Sequence, residues 1–317
     1  MKPLHCSIIV TNWNGKELLR ECLPTVISAV EADQENYYEI IVVDDCSTDD
    51  SVKYLKETFP EVKVVVPLKN LGFQEANNFG VKEAQYPIVM IVNNDIKMDE
   101  TSLAPLIRHF KAKKDLFGVS GKVYGWDKKT FMYGNRGGYF KYGHFSLYEK
   151  KENDKTQSLF VCGGAGMFDK EKYLKLGGFD NLYHPLYYEE IDVSYRALKK
   201  GWKVIYEPES KVYHRIQQTI TKQHKKDRIG HISGRNNYLF VLKNITSIRM
   251  LISAFFFIPL FLLRDILRGK TRFWVAFAMV IPRIPQLIKS RIFDLKVKNM
   301  FTDEEVLELV NVGRDRL

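Results

Sequence analysis

The chain has 317 residues, 45% of them hydrophobic and 27% charged, and a formal net charge of +10. This length allows one large α/β domain with an appendage, and a composition without low-complexity tracts excludes an intrinsically disordered protein. The four cysteines form no Cys-x-x-Cys pair, so we predict reduced, structural thiols and neither a disulfide framework nor a zinc site. The N-terminal stretch contains no signal-peptide core or cleavage site, and we therefore expect a cytoplasmic protein.

Apolar, partly β-branched runs alternate along the first part of the chain with segments that have apolar residues at helical spacing. In chain order, the predicted elements are strand 6–10, helix 16–31, strand 40–43, helix 51–58, strand 62–66, helix 74–84 and strand 88–92. This alternation predicts an α/β fold with a parallel sheet and right-handed crossovers. No Gly-x-Gly-x-x-Gly or Walker-type loop follows any of these strands, which argues against ordinary dinucleotide and P-loop sites.

The strand at 88–92 stops abruptly at the polar segment Asn93-Asn94-Asp95. In open α/β sheets, ligands bind outside the carboxyl ends of the strands, and Asn and Asp oxygens suit a divalent cation and its phosphates. The alternative is a simple turn, because Asn and Asp are common turn residues. We favour a site, with Asp95 as the principal metal-binding candidate.

Three carboxylates, Glu189, Glu190 and Asp192, stand at the start of an amphipathic helix that ends near Gly201. Negative charge at a helix N-terminus is favoured by the helix dipole, which accounts for one or two of these residues but not for the set. Before them, after a predicted helix at 103–113 and an extended segment at 118–123, a glycine- and aromatic-rich stretch at 124–148 is predicted to be a mobile loop.

Positive charge is concentrated in the C-terminal part. Residues 196–299 contain 22 Lys and Arg against 5 Asp and Glu. These basic residues alternate with apolar runs such as 250–263, a pattern typical of contact with anionic lipid headgroups rather than with nucleic acid. That run is shorter than the roughly 18 to 20 residues a spanning helix needs, so we expect it to lie in the membrane interface. A buried core helix or a dimer helix is the alternative.

Four motifs occur in a fixed order: SIIVTNWNG, VVDDCSTDD, NLGFQEANNFG leading to the Asn-Asn-Asp segment, and GGAGMF…GGFD…YYEEIDVSYRALKKGW followed by His214. Together they resemble family 2 of the inverting nucleotide-sugar glycosyltransferases. SGRNNYLFVLKN, at 233–244, is similar to the bacterial rhamnosyltransferase-like subgroup. The resemblance implies a catalytic domain of the GT-A fold at 1–215, followed by a basic, apolar, membrane-associating helical extension at 216–317.

The resemblance also implies roles for single residues in donor binding. It puts Thr11 and Trp13 beside the nucleotide base and Asp45 on the imide edge of that base. Asn94 would lie in the donor site, where the family often has another Asp. Asp95 and His214 would hold Mn²⁺ or Mg²⁺ against the donor diphosphate, although a lone histidine is often structural. The residues implied in donor and metal binding are Thr11, Trp13, Asp45, Asn94, Asp95 and His214.

Glu189, Glu190 and Asp192 correspond to the family's Glu-Asp-x-Asp element, in which one carboxylate deprotonates the acceptor hydroxyl. Inverting transfer needs this base on the face opposite the leaving diphosphate, within hydrogen-bond reach of the nucleophile. Glu190 is the first candidate. Because the family's second position is Glu here instead of Asp, Glu189 or Asp192 remains an alternative.

We therefore predict a glycosyltransferase of the hexosyl type that acts in cell wall or polysaccharide biosynthesis, peripheral on the inner face of the cell membrane. Its candidate donors are dTDP-rhamnose and a UDP-sugar, and its acceptor is a lipid-linked or cell-surface glycan; nucleic acid is not expected as a partner. A nucleotidyltransferase-like enzyme would need a Gly-rich basic loop that TNWNG lacks. A non-catalytic glycan-binding protein would have no use for the carboxylate set. No Gln-x-x-Arg-Trp motif is present, which favours one sugar per encounter.

Overall fold

The computed structural model describes residues 2–155, 157–162, 164–215 and 226–312. Up to residue 125 every predicted strand and helix is present, with ends shifted by up to three residues. A short additional strand, Ile96–Met98, was not predicted. The elements of this part are β1 (His5–Asn12), α1 (Lys16–Ala32), β2 (Tyr37–Asp44), α2 (Ser51–Thr58), β3 (Lys63–Val65), α3 (Phe73–Glu83), β4 (Ile88–Asn93), β5 (Ile96–Met98), α4 (Leu103–Ala112) and β6 (Leu116–Gly125).

Five strands and a series of helices follow in the described residues. They are β7 (Phe131–Tyr133), β8 (Arg136–Lys141), β9 (His144–Glu149), β10 (Ala165–Asp169), α5 (Lys170–Lys175), α6 (Glu189–Lys199), β11 (Lys203–His214), α7 (Lys226–Asn244), α8 (Ile248–Leu267), α9 (Arg272–Ala278), α10 (Ile284–Leu295) and α11 (Asp303–Val310). The prediction of a mobile loop at 124–148 is wrong, because β8 and β9 form an antiparallel hairpin there. Phe145 anchors this hairpin in the core.

One large sheet has the strand order β3-β2-β1-β4-β10-β6-β11-β5, with β7 paired to β6. The first four strands are parallel, as the alternation predicts. β10 is antiparallel to both of its neighbours, β4 and β6, and so joins the two halves of the sheet. Since β1, β2 and β4 run side by side in one direction, their carboxyl ends meet at one edge.

Apolar side chains pack on both faces of the sheet because successive residues of a strand point to opposite sides. In β1, Ile9 belongs to one buried cluster while Ile8 and Val10 belong to the other. The cluster around Ile9 also includes Tyr238, Leu239 and other residues of α7. A helix beyond residue 215 is therefore part of the main core.

The C-terminal helical extension is confirmed by α7 to α11, although residues 216–225 and 313–317 of the predicted region lie outside the described residues. A division into domains at residue 215 stays a prediction. The prediction that the apolar run is too short to span a membrane is wrong on length. Helix α8 has 20 residues and a mean hydropathy of 2.1, enough by length and composition to cross a bilayer, and only 22% of its apolar window is buried. All four cysteines are free, as predicted.

Candidate active site

The carboxyl ends of three parallel strands bring the predicted donor-binding residues to one edge. Asn12 of β1 is in register with Asp44 of β2, and Thr11 is in register with Asn93 of β4. Trp13 follows directly after β1 and is 44% exposed, which leaves its indole open to a stacking partner. The segments after these strands, which carry Trp13, Asp45 and Asp95, therefore start at the same edge.

Asp45 fixes the turn that starts helix α3. Its two carboxylate oxygens accept the backbone N–H groups of Leu71 and Gly72 at 2.7 and 2.8 Å, and its own carbonyl accepts from Asn70 Nδ2. Gly72 adopts a φ of 76°, a conformation that favours glycine. Because an ionised carboxylate has about four acceptor positions, Asp45 retains capacity for an imide N–H of a nucleotide base.

Asp95 and His214 form a closely spaced pair of possible metal ligands. His214, the last residue of β11, pairs with Ile96 of β5, and its Nε2 lies 3.3 Å from Asp95 Oδ1. That oxygen is buried and accepts no hydrogen bond from the described residues. Two ligands bound at 2.0–2.2 Å to one ion lie about 3 Å apart, so the pair fits a divalent cation. Carboxylate and imidazole ligands suit Mn²⁺.

The protein provides few ligands besides this pair. Within the described ranges, no group of three or more His, Cys, Asp or Glu side chains is placed to hold a metal. Asn94 turns its amide nitrogen toward Asn12 Oδ1 at 2.7 Å, which ties the β4 end to the β1 end. The remaining coordination positions of a cation bound there would have to come from phosphate oxygens and water.

A strained turn positions the three carboxylates at the start of α6. Tyr187 and Tyr188, directly before the helix, have φ angles of 68° and 77°, which costs on the order of 1 to 3 kcal/mol per residue. Asn236 of α7 stabilises the turn, because its amide donates to the carbonyls of Leu186 at 2.8 Å and Tyr187 at 3.0 Å. No sequence motif predicted that α7 supports the turn.

Glu189 is almost fully buried, at 4% exposure, and accepts a hydrogen bond from Gln74 Nε2 at 3.1 Å. Burial first, and then the negative charge of Glu190, raises the pKa of Glu189 well above its usual value. Its burial leaves Glu189 little access to an acceptor hydroxyl. Glu190, which is the more exposed of the two, is better placed to meet an incoming molecule.

Asp192 lies in a buried ionic network with no exposed surface. Arg196 Nη2 and Lys243 Nζ lie 2.7 and 2.9 Å from its carboxylate, and Tyr183 and Asn244 donate further hydrogen bonds to it. Burial alone would raise the pKa of Asp192, but the two cations outweigh this effect and lower it to about 2. Asp192 therefore differs from the neighbouring glutamates, because two cations balance its charge.

Residues 7–177 match the description Glycosyl transferase family 2, which is more than half of the chain. The chain belongs to glycosyltransferase family 2. Poly-beta-1,6-N-acetyl-D-glucosamine synthase of Staphylococcus epidermidis is 23% identical over 216 residues, which cover 68% of this chain and 50% of that protein. The chain thus spans about half the length of the curated relatives it matches.

Solved structures of glycosyltransferases share this fold. GalNAc-T7 with UDP, GalNAc and Mn²⁺ superposes with a TM-score of 0.54 at 19% identity, covering 68% of this chain and 44% of that chain. Mannosyltransferase PcManGT from Pyrobaculum calidifontis in complex with GDP-Man and Mn²⁺ gives 0.53 at 14% identity, covering 92% and 84%. The predicted GT-A fold is confirmed, whereas the rhamnosyltransferase-like subgroup stays a prediction.

In this family 2 chain, Tyr133 of β7 supports the metal-ligand pair. Its hydroxyl lies 3.0 Å from His214 Nδ1 and, by accepting the Nδ1–H, can fix the tautomer in which Nε2 faces Asp95 with a free lone pair. Burial is the main cause that raises the pKa of Tyr133 well above its usual value. Sequence reasoning missed Tyr133, because a tyrosine in a glycine- and aromatic-rich stretch carries no signal of its own.

Tyr133→Phe should weaken Mn²⁺ binding in the presence of UDP by about 10- to 100-fold, the usual cost of losing the partner that orients a ligating histidine. Calorimetric titration of Mn²⁺ measures this effect. Tyr124→Phe is the matched control, since the Tyr124 hydroxyl bonds Glu152 and not His214. Equal Mn²⁺ affinity in the Tyr133 and Tyr124 variants would contradict the assignment.

Proposed function

We propose that this chain is an inverting glycosyltransferase that transfers a hexosyl group from a nucleotide-diphosphate sugar to a hydroxyl of a lipid-linked or cell-surface glycan. The observation that carries the proposal is the Asp95–His214 pair, 3.3 Å apart, which suits a cation that binds a diphosphate. Glu190, the more exposed glutamate at the start of α6, suits a base for a hydroxyl. UDP-sugars and dTDP-rhamnose are the candidate donors.

Donor binding is assigned to the strand-end edge. Trp13 offers an exposed ring for stacking on the base, Thr11 lies beside it on β1, and Asp45 offers an acceptor for an imide N–H. Asp95 and His214 would hold Mn²⁺ or Mg²⁺ next to the diphosphate. When bound, such an ion supplies Lewis-acid neutralisation of the leaving diphosphate.

Glu190 is assigned as the general base. It takes the proton of the acceptor hydroxyl while that oxygen forms a bond to the anomeric carbon and the bond from that carbon to the diphosphate oxygen breaks. Attack from the side opposite the leaving group inverts the anomeric configuration. Buried Glu189 accepts a hydrogen bond from Gln74, and Asp192 holds the start of α6 through Arg196 and Lys243.

A panel of nucleotide sugars tests this proposal. Purified protein is incubated with UDP-, GDP- and dTDP-linked sugars in the presence of Mn²⁺ or Mg²⁺ and then of EDTA, and nucleoside diphosphate release is measured. We expect release from at least one donor that depends on the metal. A folded protein that neither binds nor turns over any donor of the panel would refute the proposal.

We further propose that α8, α9 and α10 dock the enzyme on the inner, anionic face of the cell membrane. Large apolar side chains are exposed on these helices, among them Phe255 at 85%, Ile252 at 63% and Ile292 at 55%. Exposed basic residues border them, including Arg268, Lys270 and Arg272. Apolar area beside positive charge is what an interfacial surface requires.

Vesicle binding should therefore depend on lipid charge. The protein should pellet more strongly with phosphatidylglycerol-containing vesicles than with phosphatidylcholine vesicles, and high salt should weaken the difference. Each basic contact contributes about 1 kcal/mol, so Arg268→Gln should lower the partition coefficient about fivefold. Lys56→Gln, an exposed change on α2, should have no effect. Equal binding to both vesicle types would contradict electrostatic docking.

A further inference from the structure

Two arginines from different helical segments converge on one backbone carbonyl beside the candidate active site. Arg235 of α7 and Arg283, in the single helical turn Ile281–Arg283, donate from their Nη2 atoms to His184 O at 2.7 and 3.3 Å. Arg235 is only 4% exposed. Two guanidinium groups therefore lie within contact of the same oxygen, one of them almost fully buried.

Among the described residues, neither Arg235 nor Arg283 has an Asp or Glu oxygen within 4.0 Å, whereas Lys243, the other buried cation of α7, lies within that distance of Asp180, Asp192 and Asp294. The Arg235 guanidinium donates instead to neutral acceptors, namely Asn236 Oδ1 and the carbonyls of Tyr183 and His184. Within this part of the chain its buried charge therefore has no counter-charge, which is rare. Burial first, and then the charge of Arg283, lowers the pKa of Arg235 to about 10, so Arg235 is charged at neutral pH.

The position of the pair connects three parts of the proposed enzyme. His184 precedes the strained turn that carries Glu190. The His184 ring also lies against Gly72, whose N–H binds Asp45 on the donor side: a Cβ added at Gly72 would lie 2.9 Å from the ring. Arg283 lies between two exposed apolar residues, Ile281 at 59% and Ile284 at 42% exposure. Ile284 is the first residue of α10, which is part of the proposed docking surface.

We propose that Arg235 and Arg283 form a binding site for a phosphate group. This inference rests on the proposed function, which needs phosphate esters close to Glu190. Guanidinium forks match phosphate oxygens bidentately, and they do so best where water is scarce. Two sources of this chemistry are available: the diphosphate of the donor, and a phosphate that links an acceptor to its lipid and reaches the site from the apolar surface.

The test uses Arg283→Gln, because Arg283 is partly exposed and, among the described residues, donates hydrogen bonds to Gln286 and the His184 carbonyl. Arg20→Gln, an exposed change on α1 outside the proposed docking surface, is the matched control. Calorimetry measures Kd for UDP, GDP and dTDP with Mn²⁺, and for dodecyl phosphate in neutral dodecyl maltoside micelles. Loss of a charge-assisted contact should weaken binding about tenfold or more in Arg283→Gln alone.

The two probes distinguish the sources. Weaker nucleotide binding identifies the donor diphosphate, weaker dodecyl phosphate binding identifies a lipid phosphate, and either result supports the site. Unchanged affinities for both probes relative to Arg20→Gln, with donor turnover intact in the wild type, would overturn this inference and leave the proposed function standing. Absence of nucleotide binding in the wild type would overturn the proposed function as well.

Discussion

Replacing Glu190 by Gln should lower kcat by about 10² to 10⁴, the usual contribution of a positioned general base. Glutamine keeps the size of the side chain but cannot accept the proton of the acceptor hydroxyl. Donor affinity should change little, because the proposed nucleotide contacts come from the strand-end edge around Trp13 and Asp45. Steady-state kinetics of donor turnover, together with calorimetric Kd values for the nucleotide, measure both quantities.

The neighbouring carboxylates are the internal controls. Glu189→Gln should retain most activity, because Glu189 is almost fully buried and its raised pKa favours the uncharged form that glutamine resembles. Asp192→Asn should instead destabilise the protein, because it removes a charge that balances Arg196 and Lys243 in a buried network; its thermal unfolding temperature should fall. Near-normal kcat in the Glu190 variant together with loss in Glu189→Gln would transfer the base to Glu189.

Asp95→Asn should abolish metal-supported donor binding. Loss of a partner that orients a ligand already costs about 10- to 100-fold in metal affinity, and loss of a ligand should cost more than this range. The substitution keeps the shape of the side chain, so the fold should survive and the effect should be confined to Mn²⁺ and nucleotide binding. Calorimetry of UDP with and without Mn²⁺ measures it.

Asp99→Asn is the matched control for this variant. Asp99 follows β5, a few residues beyond Asp95, but it bonds Thr101 and Tyr213 and does not contact His214. It should leave Mn²⁺ affinity unchanged. If the folded Asp95 variant bound Mn²⁺ and nucleotide as tightly as the Asp99 variant, the metal assignment would be wrong.

Local sequence signals predicted the strand ends that carry the proposed donor-binding residues. A β-branched apolar run that stops at Asn93 predicted strand 88–92 and its polar end. The observed strand is longer than this prediction by only one residue at that end. Because parallel strands end at the same edge, this pattern is enough to bring Thr11, Asp45 and Asp95 to one side of the sheet. The resemblance to family 2 added the roles of these residues.

The acceptor half depends on contacts between residues that are distant in sequence. Glu189 and Asp192 lie within one helical turn, yet their pKa values shift in opposite directions. Burial and the charge of Glu190 raise the pKa of Glu189, whereas Arg196 and Lys243 of α7 outweigh burial and lower that of Asp192 to about 2. Periodicity cannot reveal a distant partner such as Lys243. The hairpin that contains Phe145 was missed for a related reason, because its strands pack on distant helices and β8 contains two consecutive glycines.

The length of α8 could not be predicted from the length of its apolar run alone. The run at 250–263 stops at Arg264, but the helix continues to Leu267 because a charged residue on an exposed face does not end a helix. The exposed apolar residues of α8 belong to the proposed docking surface, and the vesicle experiment tests the charge dependence of that surface.

The most direct test of the account is the anomeric configuration of the first sugar released from the donor. ¹H NMR can follow metal-dependent hydrolysis of an α-linked nucleotide sugar before mutarotation, with water in place of the acceptor. Inversion at a site built from Asp95, His214 and Glu190 predicts that the β-anomer forms first and that Glu190→Gln suppresses it. Initial release of the α-anomer, or an undiminished rate in Glu190→Gln, would contradict the account.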